Sequence, residues 1–134
     1  MTLTESCMVL AIAATTMAVA TPSLLKTRET YVLNAAAHDV ATKLYAARVH
    51  AITRNQDCRL RVASTTSYVL ECQDAAWNVI ERVDLSHGIT VTANARPEFH
   101  HRGNVSPTAT VSVWDSTGRV KRVVVNINGR VRIQ

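Results

Sequence analysis

Aromatic side chains are scarce in this chain: one Phe, two Trp and three Tyr among 134 residues. With 47% of residues apolar, a core is available, but it has to be mostly aliphatic. Acidic residues are outnumbered, ten against fifteen Lys and Arg, which excludes an acidic disordered chain. Four glycines exclude a collagen-like repeat, and three cysteines exclude a disulfide-dense toxin. Only one long uncharged run exists, so the chain is not a polytopic membrane protein. The length is too small for a barrel enzyme or a two-domain dehydrogenase and suits one domain with an appendage.

Signatures of catalysis are absent as well. There is no H-E-x-x-H, no C-x-x-C, no phosphate loop and no Ser/His/Asp order, so no catalytic residue, cofactor or metal site is expected. His100 and His101 are adjacent and on a strand would face opposite ways, a poor chelate that reads as a solvated loop pair. His38 and His50 are too far apart on a helix to share a ligand, and His87 sits in a turn-like Ser86-His87-Gly88 segment. Trp77 and Trp114 read as core or rim packing rather than a base-stacking platform.

The net charge of +5 is unevenly placed. Residues 1–95 hold eight basic and eight acidic side chains, whereas residues 96–134 hold seven basic and two acidic ones. The whole excess therefore belongs to the C-terminal segment, where it is compatible with an anionic partner.

From Ser6 to Leu25 there is no charge. Twenty residues at helical rise span about 30 Å, the thickness of a bilayer core. The run is Ala- and Thr-rich, a composition that suits close helix–helix packing more than lipid alone. No basic segment precedes it, as a secretory signal would require, and the helical pattern continues beyond it. Leu33, Ala36, Val40, Leu44, Ala47 and Ala51 recur at steps of three and four, one face of an amphipathic helix. Asn55-Gln56-Asp57 is the stop. One helix is expected over residues 2–54, about 80 Å long at the usual rise. Pro22 lies inside it and removes a bond to the Ala18 carbonyl, so a kink or local melting is expected there. Glu5, at the head of an apolar run, reads either as a helix-start acid favoured by the dipole or as a functional carboxylate that needs a partner in an apolar surrounding.

Beyond residue 57 the period becomes two. Cys58–Val62 and Tyr68–Cys72 both alternate. Pairing them so that residue numbers total 130 sets Leu60 against Leu70, Val62 against Tyr68, and Cys58 against Cys72. A facing pair beyond a membrane segment is most simply a periplasmic disulfide. The alternatives are two free thiols or half of a metal site, for which no further ligands at suitable spacing are visible. Cys7, in the apolar run, reads as a small hydrophobe. Strand-like runs follow at Trp77–Val83, Ile89–Ala93, Thr108–Trp114, Val120–Val125 and Arg130–Ile133, with Phe99 to Gly103 a loop or short strand. Gly118 and Gly129 each suit the left-handed end of a three-residue hairpin loop. With Ile127–Gly129 as a loop, Val125 faces Val131 and Val123 faces Ile133, which lines Arg122, Arg130 and Arg132 up on the opposite face.

Thr2-Leu3-Thr4-Glu5, the apolar run and Pro22 together resemble the mature N-terminus of type IV pilins and pseudopilins. The order of a long helix, then strands, then Gly129-Arg130-Val131-Arg132 resembles the GspH/FimT branch of pseudopilins and minor pilins. Met1 stands where that family usually has Phe, and Thr4 and Ser6 are more polar than usual.

The resemblance implies an α+β fold: a long N-terminal helix packed on an antiparallel β head, in two small sheets. Residues 1–25 would be the transmembrane and filament-core half of the helix, 26–57 its amphipathic half and 58–134 the head. It implies a prepilin peptidase cut before residue 1, N-methylation of the new amine, anchoring in the bacterial inner membrane with the head in the periplasm, and later packing among other pilin subunits in a filament. It also implies assembly residues Met1, Glu5 and Pro22, with Glu5 neutralising the amine of Met1 from the next subunit. Some members bind DNA through the Gly-Arg-x-Arg element, here Gly129, Arg130 and Arg132 with Arg122 beside them. Others sit near the tip of a type II secretion pseudopilus.

Overall fold

The computed structural model describes residues 2–134. Helix α1 runs Leu3–Arg54, and the chain divides into two compact units, one ending at Tyr31 and one spanning Val32–Gln134. In the first unit the helix starts on a half capping box. Thr2 precedes the first helical residue, and its backbone N–H donates to Glu5 Oε2 at 2.9 Å. The helix is uninterrupted at Pro22, so the local melting expected there does not occur. The threonines do not leave polar atoms stranded on the apolar run. Thr15 bonds the Ala11 carbonyl at 3.1 Å, Thr16 the Ile12 carbonyl at 3.1 Å and Thr21 the Met17 carbonyl at 2.7 Å. Each hydroxyl is satisfied inside its own helix, the condition for a polar side chain to enter a bilayer or a dry interface.

In the second unit the helix buries Leu33, Ala37, Val40, Leu44, Ala47 and Ala51. The stripe expected from the sequence is displaced at one position: Ala37 is fully buried and Ala36 only partly. Alternating steps of four and three keep one face pointed at the strands. The helix ends at Arg54 because Asn55 takes a left-handed conformation, φ 54°. The Gln56 N–H then returns to the Ala51 carbonyl at 3.1 Å, a Schellman-type closure.

Eight strands follow: β1 Cys58–Ser64, β2 Ser67–Gln73, β3 Trp77–Asp84, β4 Thr90–Ala93, β5 Glu98–Phe99, β6 Ala109–Trp114, β7 Val120–Val125 and β8 Val131–Ile133. They form two antiparallel sheets of four strands, ordered β3-β2-β1-β5 and β4-β6-β7-β8. The β1–β2 register is Cys58 to Cys72, Leu60 to Leu70 and Val62 to Tyr68, and the two cysteines form a disulfide. β7 meets β8 with Val123 against Ile133 and Val125 against Val131. Both inner faces close on the helix stripe. Leu60, Leu70, Val91, Phe99, Val111 and Val123 are each no more than 3% exposed in one continuous core.

Three polar ties order this core. Tyr68 is fully buried, and its hydroxyl donates to Asp39 Oδ2 of α1 at 2.5 Å. Burial, then this bond, push the Tyr68 phenol well above its ordinary range, so it stays a donor. Lys43 of α1 pairs with Glu81 of β3 at 2.5 Å. On the far side of the first sheet, the Glu71 side chain is only 5% exposed and accepts from Arg59 at 2.8 Å and Arg61 at 2.6 Å. Arg59 also lies 3.8 Å from the centroid of the Trp77 ring. Burial alone would raise the Glu71 carboxyl, but the two guanidiniums outweigh it and hold the group below the usual carboxylate range.

The terminal hairpin is pinned differently. Arg48 of α1 lies against Gly103 and Gly129 and donates from Nη1 to the Gly129 carbonyl at 3.4 Å. A Cβ on Gly129 would stand 2.9 Å from Arg48 Nε and closer still to the Gly103 carbonyl oxygen. Gly129 also has φ 73°, so space and backbone both require glycine there. Gly118, in the β6–β7 turn, has φ 85°, but a Cβ there would meet nothing within 4 Å.

Two outcomes follow for the full chain in detergent micelles. Glu71→Gln leaves Arg59 and Arg61 without their anion and should cost about 1–2 kcal/mol, because both guanidiniums keep access to water. Because the folded carboxyl is depressed, its contribution is complete above the ordinary value of 4.5 and is lost as pH falls through the lower folded value. Thermal midpoints from pH 7 down to about 2 should therefore converge for wild type and Glu71→Gln at the acid end. Gly129→Ala should cost roughly 3 kcal/mol through combined strain and overpacking, against about 1 kcal/mol for Gly118→Ala. Equal losses at the two glycines would show that the close packing of Gly103 and Arg48 around Gly129 contributes nothing.

Candidate assembly and anion-facing surfaces

The apolar run is built for contact with something other than its own chain. Leu3, Met8, Val9, Leu10, Ile12, Met17, Val19, Leu24 and Leu25 are each at least 55% exposed. The helix is long and apolar enough to cross a membrane, and no residue of its most apolar window is buried. Within residues 2–25 the only charged side chain is Glu5. Its carboxylate bonds the backbone of its own Thr2, so the helix-start role is realised within the chain. Met1, the expected partner amine, lies outside the described residues. Pro22 is placed inside the helix and Cys7 is a free, exposed thiol.

The second surface is the outer face of the β4-β6-β7-β8 sheet. These four strands contain no Asp or Glu. Alternation buries Val111, Val113, Val123 and Val125 and turns Thr92, Ser112, Trp114, Arg122 and Arg132 outward. Arg122, Arg130 and Arg132 are all exposed, as the register requires. Asp115, in the β6–β7 turn, is already committed. It bonds the Thr117 hydroxyl at 2.7 Å and the Arg119 guanidinium at 2.7 Å. Burial works against its charge, but the Thr117 and Arg119 hydrogen bonds win and hold its pKa at about 2. It therefore neutralises Arg119.

A concavity of about 580 Å³ is lined by Tyr45, Arg48, Asn126, Asn128, Gly129, Arg130 and Val131. It too has no acidic lining residue. Gly129 is buried, so it shapes the hairpin that carries Arg130 and Arg132 rather than presenting a surface of its own. Cys58 and Cys72 lie on the other sheet and act as a structural staple.

Sequence reasoning missed two things here. Arg48 gave no signal, because its contacts are 55 and 81 residues away along the chain. The Glu71 clamp was within reach: the register that pairs Cys58 with Cys72 also pairs Arg59 with Glu71. Trp77 packs at a rim under Arg59, and Trp114 is 36% exposed with its indole N–H 3.4 Å from the Thr92 hydroxyl.

Comparison with known proteins agrees with this architecture. EpsH, a minor pseudopilin of the type 2 secretion system of Vibrio cholerae, superposes with a TM-score of 0.67 at 18% identity, covering 76% of this chain and 95% of that one. FimU, a type IV minor pilin of Pseudomonas aeruginosa, gives 0.67 at 14% identity, covering 79% of this chain and 90% of that one. At such identities the likeness carries the pilin-like α+β fold. No curated protein matches in sequence. The sequence pattern of the family described as type II transport protein GspH matches residues 36–129, most of the chain. The chain belongs to the GspH family.

Proposed function

We propose that this protein is a subunit of a type IV pilus-like or pseudopilus filament, held in the inner membrane before assembly and polymerising through its N-terminal helix. The observation that carries this is the exposed apolar run with one charge, Glu5, at its head. In a filament the run is buried among copies of itself, and the Ala- and Thr-rich composition allows close approach. Glu5 then pairs with the amine of Met1 of the next subunit, because a lone carboxylate in a dry core is costly. A prepilin peptidase that exposes this amine and N-methylates it fits the same reading. The family description and EpsH favour a secretion pseudopilus, and FimU favours a pilus.

The capping bond makes the test sharper. Glu5→Gln keeps the side-chain acceptor for the Thr2 N–H but removes the charge. Glu5→Ala removes both. If the charge drives assembly, both variants should fall to a small fraction of wild-type filament yield in pelleting assays, with heads that melt as wild type. Normal assembly of Glu5→Gln with failure of Glu5→Ala would assign Glu5 to helix capping alone.

A second reading, DNA binding by the outer sheet face, is favoured by exposed Arg122 and Arg132 on strands without an acid, with exposed Arg130 just before β8. Contacts to about three phosphates would weaken binding roughly 40-fold between 50 and 200 mM salt. Arg130→Ala/Arg132→Ala would flatten that dependence to about fourfold. Fluorescence anisotropy with a duplex at both salts reads it, and identical salt slopes would remove the arginines from any DNA contact.

A further inference from the structure

One cluster lies away from both surfaces. Asp57 immediately precedes β1, and β1 pairs with β5 so that Cys58 meets Phe99 and Arg59 meets Glu98. One more step of that register sets Asp57 opposite His100. The two-residue period of a strand puts Glu98 and His100 on one face. One donor atom from each of Asp57, Glu98 and His100 lies within 4.8 Å of the others. His100 Nδ1 is 3.2 Å from Asp57 Oδ1, and His101 Nδ1 is 4.0 Å from the same oxygen. Both histidines lie outside the strands and are partly exposed, as the loop-pair reading expected, but both approach the same Asp57 oxygen.

We propose that Asp57, Glu98 and His100 form a divalent-cation site of the zinc class, with His101 or water completing it. The donor set decides the class. Imidazole with two carboxylates suits Zn²⁺, Co²⁺ or Cu²⁺, whereas Ca²⁺ and Mg²⁺ take all-oxygen shells. Tetrahedral bonds of about 2.0–2.1 Å place ligand atoms roughly 3.3 Å apart, and the Asp57–His100 pair already has that spacing.

The backbone of every ligand is fixed. The Asp57 carbonyl accepts from Gln73 N at 2.7 Å, the Glu98 carbonyl from Ser106 N at 3.1 Å, and His100 N donates to Asn104 at 3.0 Å. The intervening Cys58 and Phe99 are fully buried. Arg59, the cation across from Glu98, is committed to Glu71. Asp57 and His100 side chains are each about 30% exposed, enough for an ion to enter. Bound metal would clamp β5, a two-residue edge strand, to the start of β1.

The test titrates the full chain in detergent micelles, disulfide intact, with Co²⁺ followed by visible d–d absorption, and then displaces it with Zn²⁺. The expected result is saturation at one ion per chain, unaffected by Mg²⁺ or Ca²⁺. Glu98→Gln, nearly isosteric, should weaken binding about tenfold or more. Glu98→Gln/His100→Gln should abolish saturation, and His87→Gln should change nothing. Far-UV circular dichroism establishes that each variant is folded. Saturable binding of equal affinity in wild type and Glu98→Gln, or only linear uptake in wild type, would overturn the site.

Discussion

A stripe of six small and aliphatic side chains on α1, from Leu33 to Ala51, is the surface on which both sheets of the head close. Each sheet is only four strands wide, and the inner faces of both join the helix stripe in one continuous core. Three of the six helix residues are Ala, so backbone and strands come close and the bulk is supplied from the sheets by Tyr68, Phe99, Leu60 and the valines. This explains how a chain so poor in aromatics packs a core. Its two large buried rings, Tyr68 and Phe99, sit one on each side of β1 in the first sheet. The Tyr68–Asp39 tie then sets the rotation of the helix, since a turned helix would leave the buried Tyr68 hydroxyl without its acceptor.

The same helix carries two different apolar surfaces. From Val32 onward its stripe is used up inside the chain. Before that its apolar side chains are exposed, with hydroxyls closed onto their own carbonyls. A surface prepared in this way is stable only in lipid or against other apolar helices. Filament assembly through this run, as proposed, would provide the second. Residues 1–95 balance, while the excess belongs to residues 96–134, of which Arg122 and Arg132 lie on the sheet face that alternation turns to solvent.

Local pattern made much of this legible. The change of period at residue 57, the facing cysteines and the β7–β8 register all follow from alternation and turn chemistry, which act over a few residues. Ala36 and Ala37 were interchangeable in the sequence because two neighbouring alanines carry the same pattern signal, and only the angle of the sheets selects one. The candidate sites were less legible where they depend on distant chain segments. Gly129 reads as a turn glycine, but the closeness of Arg48 and Gly103 that fixes it is tertiary. His100 reads as half of a useless pair until β5 is laid beside β1. Glu71 faces Arg59 in the register that pairs the cysteines, but alternation alone does not say that the carboxylate is buried or that Arg61 also reaches it.

The central claim is that the exposed apolar run is a subunit–subunit surface headed by an ion pair. Cryo-electron microscopy of filaments formed by the full chain tests it most directly. The account predicts residues 3–25 packed in the filament interior, with the Glu5 carboxylate within ion-pair distance of the neighbouring subunit's N-terminal amine. Filaments whose subunits meet only through their heads, with Glu5 bonded solely to its own Thr2 N–H, would contradict it.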